Sequence, residues 1–261
     1  MKNIEEYNKR AYDSYGKEYQ KGRDEKQKSR LYNEFLEVPS MIKAVGNIQG
    51  KKLLDVGCGA GVHISHYLKK GAKCYGLDIS KTLIDLAKEK CPNVDFKIGS
   101  MTKLPYPNGF FDIVTCSLAI HYVEDTKQVL KEINRVLKKG GIFLYSSDSL
   151  TYLVSDVYQD ENYKIKGICE LFDKRTKKTI IVGNPEDEGL KEWEMLPGMK
   201  LKTFRLPFRK QLNNLVTTGF ELIDVIDCKP SLGFKKYGPE EYKFASKIPI
   251  FSIFVSRKLR D

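Results

Sequence analysis

Three glycines at alternate positions, with a carboxylate just before them, are the part of this sequence best suited to chemistry. Asp55 lies inside a short apolar run, and Gly57, Gly59 and Gly61 follow it. Because glycine has no Cβ, a ligand can lie directly against the backbone of such a turn. A glycine-rich turn that leads from a strand into a helix is typical of a site that binds a nucleotide-like ligand at the helix N-terminus.

The spacing of these residues narrows the choice of ligand. A dinucleotide-binding turn of the form G-x-G-x-x-G that starts at Gly57 requires a glycine at position 62, where this chain has Val62. Asp55 occupies a position that is normally apolar in dehydrogenases, and its carboxylate suits a positively charged ligand better than a pyrophosphate. Asp78 closes the next predicted strand, where a carboxylate can accept hydrogen bonds from both ribose hydroxyls.

The elements that must position these residues alternate between strand and helix. Apolar runs separated by amphipathic segments predict a parallel sheet with helices on both faces. Ligands of such sheets bind beyond the carboxyl ends of the strands, near the point where the strand order reverses. We predict strands at 53–56, 73–77, 94–98, 111–116, 142–147, 220–226 and 250–255, and helices at 61–70, 81–90 (capped by Ser80), 126–138 (capped by Asp125) and 208–218.

The segments on either side of this alternation are expected to cover the ligand. Helices are predicted at 3–20 and at about 24–37, with a break at Val38-Pro39 because proline disfavours a helical residue before it. Residues 151–207 lack helical periodicity and predict a hairpin around 173–178 and a loop over 184–200. The chain is thereby divided into a helical lid (1–48), a core (49–150), an inserted cap (151–207) and the C-terminal part of the core (208–261).

The composition of the 261 residues is that of an ordinary globular protein, with 41% hydrophobic and 30% charged residues. The sequence lacks both a membrane-spanning apolar run and an apolar signal-peptide core, so we expect a cytoplasmic protein that does not enter a membrane. The six cysteines lie far apart and predict reduced thiols. His63 and His66 form an H-x-x-H without an acidic third ligand, so we interpret both as helix-surface residues and expect no metal.

The net charge of +11 is the one feature that suggests nucleic acid. The lysines are scattered, however, and pairs such as Lys69-Lys70 and Lys138-Lys139 fall at predicted helix ends, where cations complement the helix dipole. Without a long basic run or a recognisable binding module, we interpret the charge as a solvated surface and consider nucleic acid an unfavoured partner.

Taken together, these motifs make the sequence similar to the class I S-adenosylmethionine-dependent methyltransferases, and among them to the broad type 11 group. The resemblance covers about residues 50–148. It implies a Rossmann-like α/β fold with a seven-stranded, mostly parallel sheet, helices on both faces, an antiparallel last strand and an inserted substrate cap. It also implies S-adenosylmethionine as cofactor and S-adenosylhomocysteine as product. The stretches that carry it are 53–61, 74–80, 96–105, 110–122 and 132–145.

The resemblance also implies roles for matching positions. Where the family often has an aspartate followed by an apolar residue, this chain has Ser100-Met101, so a contact to the adenine amino group is weaker or made by the hydroxyl. Gly57 and Gly59 would contact the methionine moiety, and Asp55 would shape the loop or contact that moiety through water. Asp78 would bind the ribose, Ile79 would pack on the adenine, and Ser117 would lie close to the sulfonium. Tyr19 would be the lid tyrosine, with Tyr15 as second choice.

Methyl transfer from a sulfonium is an in-line displacement for which a protein mainly supplies orientation. A base is needed only if the acceptor must lose a proton, and His121, after the fourth predicted strand, is the candidate; a structural histidine is the alternative. Arg205 is a candidate for an anionic substrate group, with a surface arginine as the alternative. Aromatic and methionine side chains of the insertion are candidate walls of the acceptor site, namely Tyr152, Tyr158, Tyr163, Trp193, Met195 and Phe204.

Three functions stay open at this point. The first is a methyltransferase that acts on a small molecule, with the acceptor atom undetermined. The second is an RNA or tRNA methyltransferase, which only the positive charge supports. The third is a non-catalytic regulatory protein that binds the cofactor. The sequence after the fourth strand, Cys116–Ala119, differs from N-P-P-Y, which argues against amino-group methylation of nucleic-acid bases or glutamine by that route.

Overall fold

The structure is a computed structural model that describes residues 4–149, 156–159, 164–167, 169–173, 176–184 and 186–259. Within these residues the strands are β1 (Lys52–Val56), β2 (Lys73–Asp78), β3 (Asp95–Ile98), β4 (Phe111–Ser117), β5 (Leu137–Asp148), β6 (Asp156–Gln159), β7 (Lys164–Gly167), β8 (Cys169–Asp173), β9 (Lys178–Val182), β10 (Gly189–Leu196), β11 (Met199–Arg205), β12 (Phe220–Asp227) and β13 (Phe251–Lys258). The α-helices are α1 (Ile4–Asp24), α2 (Val38–Ala44), α3 (Val62–Lys69), α4 (Lys81–Lys90), α5 (Thr126–Val136), α6 (Phe208–Thr217), α7 (Leu232–Tyr237) and α8 (Pro239–Ala245).

Seven of the described strands form one sheet in the order β12-β13-β5-β4-β1-β2-β3. Strand β13 runs antiparallel to both of its neighbours, and the other six strands are parallel to one another. The prediction of a seven-stranded, mostly parallel sheet with an antiparallel last strand is therefore confirmed. The strand order reverses between β1 and β4, where Asp55 pairs with Thr115, so this is the edge at which a ligand is expected.

The apolar patterns of the sequence explain how this sheet is covered. Strand β1 is buried from Leu53 to Val56, as expected for the centre of a sheet with helices on both faces. Helix α5 buries the apolar positions Val129, Leu130, Ile133 and Val136 in its stripe. The predicted caps are confirmed: Ser80 Oγ accepts from the Leu83 N–H, and Asp125 Oδ1 accepts from the Gln128 N–H.

The predicted break at Val38-Pro39 is wrong. A π-helical turn over Asn33–Glu37 runs directly into α2, and the Val38 N–H donates to the Asn33 carbonyl. Proline has no N–H to donate, and the wider turn just before Pro39 lets the helical path continue through it. The predicted helix over 24–37 is also replaced, because α1 extends to Asp24 and a short 3-10 turn follows at Lys28–Arg30.

The insertion differs from its prediction in one place. Strands β8 and β9 pair as the predicted hairpin. The stretch predicted as a loop over 184–200 instead contains most of a second hairpin, in which β10 pairs with β11 around Pro197-Gly198. Gly198 has φ +81°, a left-handed conformation that favours glycine in a tight turn. Strand β10 was not predicted because Glu192 and Glu194 lie on an exposed face and interrupt the apolar pattern of the sequence.

Two expectations from the composition can be compared with the structure. The cysteines whose side chains are described, at 58, 74, 91, 116 and 228, are all buried free thiols. Among the described helices, none combines the length and the apolar character that crossing a bilayer would require.

Candidate functional site

A cavity of about 640 Å³ lies beyond the carboxyl ends of β1, β2 and β4. The glycine loop after β1 and the ends of β2 and β4 form one side, which we call the floor. Helix α1, the turn Lys28–Arg30 and the β10–β11 hairpin form the other side, which we call the roof. The size is within the range of sites that enclose small organic ligands. Of the predicted site residues, those that line this cavity are Tyr19, Gly57, Gly59, Asp78, Ile79, Met101, Ser117, His121, Trp193 and Arg205.

The glycine loop folds tightly against the end of β2. The N–H groups of Gly57 and Cys58 both donate to the Leu77 carbonyl, at 2.7 and 3.0 Å. Gly57 has φ +73°, and a Cβ added there would lie 2.5 Å from the Cβ of Ala119. Both the conformation and the close approach require glycine at this position, so that the backbone of the loop itself forms the cavity wall.

Asp78 has a carboxylate held by backbone donors. Its Oδ2 accepts from the Gly59 N–H and its Oδ1 from the Ser80 N–H, each at 2.9 Å. Burial raises its pKa, and these N–H groups act in the opposite direction. Each carboxylate oxygen has a further lone pair, so an oriented Asp78 can also accept from two hydroxyls of a ligand in the cavity.

Asp55 lies behind the cavity wall and does not line the cavity. It is 1% exposed, and its Oδ1 accepts from the Thr115 hydroxyl at 2.7 Å, while Oδ2 has no partner among the described residues. Burial raises its pKa to about 6. Of its two implied roles, this placement supports shaping of the loop. Ser117, at the end of β4, does line the cavity, and its buried hydroxyl likewise has no described partner.

Ser100 turns away from the cavity and contacts helix α1. Its hydroxyl donates to Glu5 Oε1 at 2.5 Å and also bonds with the Thr102 hydroxyl, while the neighbouring Met101 and Ile79 do line the cavity. Glu5 lines the cavity too. A carboxylate is therefore present near position 100 although the sequence has serine there, and it comes from a helix distant in the chain. Sequence reasoning missed it for that reason.

The tyrosines of α1 divide between two sites. Tyr19 lines the cavity, as does Tyr12, whose hydroxyl donates to that of Tyr122 at 3.1 Å. Tyr15 does not line the cavity; it packs in a small cluster with Leu196 and Met199 beneath the β10–β11 turn. The face of α1 that lines the cavity contains Glu5, Asn8, Tyr12 and Tyr19, so Tyr12 and not Tyr15 accompanies Tyr19 there.

The interpretation of His63 as a surface residue is wrong. Its side chain is 7% exposed and lines the cavity, and Nε2 lies 2.8 Å from Glu37 Oε2. The Ser146 hydroxyl donates to the other oxygen of Glu37 at 2.7 Å. Burial opposes both charges, but their mutual attraction outweighs it, so the pKa of Glu37 is lowered and that of His63 is raised. Glu37 was missed, although a lone glutamate between Leu36 and Val38 is a usable signal for a buried pair.

The remaining candidates lie at the roof and beside it. His121 lines the cavity with its ring edge-on to Tyr122, 4.5 Å between centroids, and desolvation lowers its pKa to about 4. Arg205 Nη1 donates to Asp187 Oδ2 at 2.9 Å. Trp193, Met195 and Phe204 also line the cavity. Tyr152, Tyr163 and the side chain of Tyr158 lie outside the described part of the chain. Across the described residues, no group of three or more His, Cys, Asp or Glu could hold a metal ion.

Helix α1 connects the floor and the roof. On the floor side, Asp13 Oδ1 accepts from the Ser80 hydroxyl at 2.7 Å and from the Thr82 N–H at 3.2 Å. On the roof side, the Asn8 amide exchanges two hydrogen bonds with the backbone of Lys202 in β11, at 2.7 and 2.8 Å. The cavity is thus closed by a helix that is fastened to both of its walls.

Comparisons with known proteins agree with this architecture. Residues 54–145 match a family described as a methyltransferase domain. An uncharacterised protein of Haemophilus influenzae is 27% identical over 239 residues, which cover 87% of this chain and 89% of that protein. A demethylmenaquinone methyltransferase of Renibacterium salmoninarum is 36% identical over 101 residues, 39% of this chain and 43% of that enzyme. That similarity spans less than half of the enzyme.

A solved structure extends the comparison to most of the chain. An S-adenosylmethionine-dependent methyltransferase of Mesorhizobium loti superposes with a TM-score of 0.66 at 22% identity, covering 84% of this chain and 96% of that one. At this identity the likeness shows the shared fold. Together with the domain match over the glycine loop and Asp78, it supports the assignment of this chain to the class I S-adenosylmethionine-dependent methyltransferases, enzymes whose cofactor is S-adenosylmethionine.

Proposed function

We propose that this enzyme transfers the methyl group of S-adenosylmethionine to a small-molecule acceptor inside the floor-and-roof cavity. The observation that carries the proposal is the continuity of one cavity of about 640 Å³ from Asp78 on the floor to Trp193 and Arg205 on the roof. A donor bound along the floor then leaves the roof side of the same space for an acceptor, under a cover that excludes bulk water.

The floor residues fit the cofactor. The missing Cβ of Gly57 leaves room against the loop, and the oriented carboxylate of Asp78 suits a ribose. Ile79 and Met101 would pack on the adenine, and the Glu5 carboxylate, within hydrogen-bonding distance of Ser100, would accept from its amino group. Asp55 would fix the loop from behind, and Ser117 would lie near the sulfonium.

S-adenosylmethionine supplies a methyl group that is already activated by its sulfonium. The residues of this chain therefore mainly orient the two reactants, an effect worth up to roughly 7–11 kcal/mol. The rings of Tyr12, Tyr19 and Tyr122 surround the space between floor and roof, where their faces can stabilise positive charge. On the roof, Trp193 and Arg205 would contact the acceptor.

His121 is proposed as the base for an acceptor that must lose a proton. The pKa of about 4 leaves its imidazole neutral at physiological pH, so a ring nitrogen can accept a proton, but a pKa this far below that pH makes His121 a weak base. Replacement by alanine (His121→Ala) should lower turnover by roughly 10²- to 10⁴-fold if the role is correct. The measurement is the pH dependence of turnover for the wild type and the variant. If the two profiles are the same, His121 is a structural residue and not the base.

The first experiment is calorimetry with S-adenosylhomocysteine. Binding at micromolar concentration is expected, and its absence would contradict the proposed function. The acceptor is then sought by incubating the enzyme and labelled cofactor with a metabolite mixture. An RNA acceptor, the alternative that the +11 charge suggests, would bind less tightly as salt is added, with a steep log–log slope. The proposal includes a cytoplasmic location, which the free thiols of the described cysteines support.

A further inference from the structure

Arg30 differs from the other arginines of the cavity because it has no carboxylate partner in the part of the chain that the structure describes. It is 4% exposed, it lines the cavity, and none of the described carboxylates lies within 4 Å of it. By contrast, Arg23 pairs with Glu34 at 2.5 Å and Arg205 with Asp187 at 2.9 Å. A guanidinium group is a cation with five N–H donors and no acceptor.

A buried charge without a partner is destabilising, and proteins normally pair or neutralise such groups. Three other acidic side chains of the cavity have hydrogen-bond partners elsewhere. Glu37 is bonded to His63 and Ser146, Asp78 is bonded to backbone N–H groups, and Glu5 is bonded to Ser100. Among the described residues, the guanidinium of Arg30 therefore has no carboxylate within 4 Å, and an anionic group that enters the cavity could balance its charge.

The side chain of Arg30 is also held in place. Its Nη2 donates to the Met195 carbonyl of β10 at 2.6 Å, and its Cζ lies 4.8 Å from the ring centroid of Tyr19. Among the described residues, Nη2 is its only nitrogen with a hydrogen-bond partner, although a guanidinium has five N–H donors. A cation fixed by two elements, with most of its donors unused, is organised in advance to receive a planar anionic group.

A second donor stands close to this cation. The Tyr12 hydroxyl donates to Tyr122, which leaves the hydrogen of the Tyr122 hydroxyl for a further acceptor. Arg30 lies near enough to Tyr122 for its charge to act on that phenol and oppose the rise of its pKa. Arg30 thus contacts Tyr19 of α1 and Met195 of β10, and it lies near Tyr122 in the segment after β4. None of these three contacts involves the glycine loop.

We propose that Arg30, with the Tyr122 hydroxyl, binds an anionic oxygen group of the methyl acceptor, either a carboxylate or a phosphate. The inference rests on the proposed function, because it assigns the roof side of the cavity to the acceptor. The rings of Tyr19 and Trp193 beside this group indicate an acceptor with a flat apolar part next to its anion.

The test measures three probes on protein saturated with S-adenosylhomocysteine: benzoate, phenyl phosphate and the uncharged benzyl alcohol. The chains compared are the wild type, Arg30→Met, Arg30→Lys and a matched control, Arg209→Met. Arg209 has the same charge but lies exposed on α6, paired with Glu186. We expect Arg30→Met to weaken an anionic probe at least about tenfold, since hydrogen bonds to charged groups contribute about 1.5–3 kcal/mol each. Arg30→Lys should be intermediate, and the control should equal the wild type.

The outcomes separate this inference from the function on which it rests. If the wild type does not bind S-adenosylhomocysteine, the proposed function fails. If it binds S-adenosylhomocysteine but neither anionic probe, only the role of Arg30 is overturned. A loss of S-adenosylhomocysteine affinity in Arg30→Met would also overturn it, because Arg30 would then hold the carboxylate of the cofactor. Unaltered benzyl alcohol and cofactor affinities show that the variants are folded, and the stronger anionic probe identifies the group.

Discussion

The floor and the roof of the cavity both hold polar groups in an enclosed space, but they hold them by different kinds of contact. On the floor, the carboxylate of Asp78 is held by backbone N–H groups from the adjoining loop and helix, within one sheet-and-helix unit. On the roof, Arg30 is held between a helix and a hairpin, and its hydrogen-bond partner lies 165 residues away in the chain. The floor is therefore built by local geometry, whereas the roof exists only when separate elements are assembled.

The two sides also differ in the sign of their buried charge. The floor has the buried carboxylate of Asp78, with Asp55 behind it, and the roof has the buried guanidinium group of Arg30. This arrangement suits a donor that carries positive charge and an acceptor that carries negative charge. The variants below are ordered from the largest expected effect to the smallest, and each asks whether floor and roof behave independently.

The largest effect is expected for Gly57→Ala. The left-handed conformation costs about 1–2 kcal/mol for alanine, and the contact of the new Cβ with Ala119 adds about 1–3 kcal/mol. Stability in denaturant unfolding and S-adenosylhomocysteine affinity should both decrease. Gly109→Ala is the matched control, because Gly109 has φ +59° but no atom within 4 Å of the place where a Cβ would lie, and so incurs only the first cost. Equal effects of the two variants would mean that the close approach to Ala119 is unimportant.

Asp55→Asn should stabilise the protein at neutral pH. The folded-state pKa of about 6 lies above the ordinary value of 3.8, so the folded state binds this proton more tightly and stability falls as the pH rises from about 4 to 6. Asparagine removes that loss, so the variant should be more stable above pH 6 by roughly 3 kcal/mol, and the gain should shrink below pH 4. Unfolding curves at several pH values measure it. The exposed Asp224→Asn should show no such pattern; a pH-independent gain at position 55 would contradict the explanation.

Asp78→Asn should weaken S-adenosylhomocysteine binding by about 10- to 100-fold, which corresponds to about 1.5–3 kcal/mol for a charged hydrogen bond. The amide must also direct its NH₂ at either the Gly59 or the Ser80 N–H, so two donors would face each other. Calorimetry measures the loss, and Asp85→Asn, on the exposed face of α4, is the control. If the variant bound the cofactor as tightly as the wild type, Asp78 would not be a cofactor-binding residue.

The smallest effect is expected for Gly198→Ala in the turn of the roof hairpin. The left-handed backbone favours glycine by about 1 kcal/mol, and a Cβ would lie 2.7 Å from the Tyr15 hydroxyl, which can move. Anionic probes should bind a few-fold more weakly while S-adenosylhomocysteine binding is unaltered. Gly50→Ala is the control for the backbone alone, since Gly50 has φ +71° and nothing lies within 4 Å of the place where a Cβ would lie. Adding Tyr15→Phe should recover part of the loss; an equal loss of cofactor affinity would show that floor and roof are not independent.

The same contrast explains what the sequence could predict. Strands β1 to β5 and the caps at Ser80 and Asp125 follow from local patterns, because each signal lies within the element that it specifies. The glycines and Asp78 were identified for the same reason, since their function depends on the backbone nearby.

The roof was predicted less well because its residues come together only in the assembled chain. The glutamates of β10 concealed a strand, and Tyr15 was named as the second lid tyrosine although Tyr12 is the one that lines the cavity. Glu5, Arg30 and Glu37 are ordinary charged residues in the sequence, and only burial against distant elements makes them notable. The boundaries of the lid and the cap stay a prediction.

The fastening of α1 has a consequence for the order of events in a catalytic cycle. The helix is about 30 Å long and is bonded to α4 through Asp13 and to β11 through Asn8. For a cofactor to enter or leave beneath α1, the hydrogen bonds of Asp13 and Asn8 must break. When they break, α1 moves away and the acceptor site loses Tyr12 and Tyr19. We therefore expect an obligatory sequence, in which the donor binds first, the methylated product departs next, and S-adenosylhomocysteine leaves last and limits the rate of turnover.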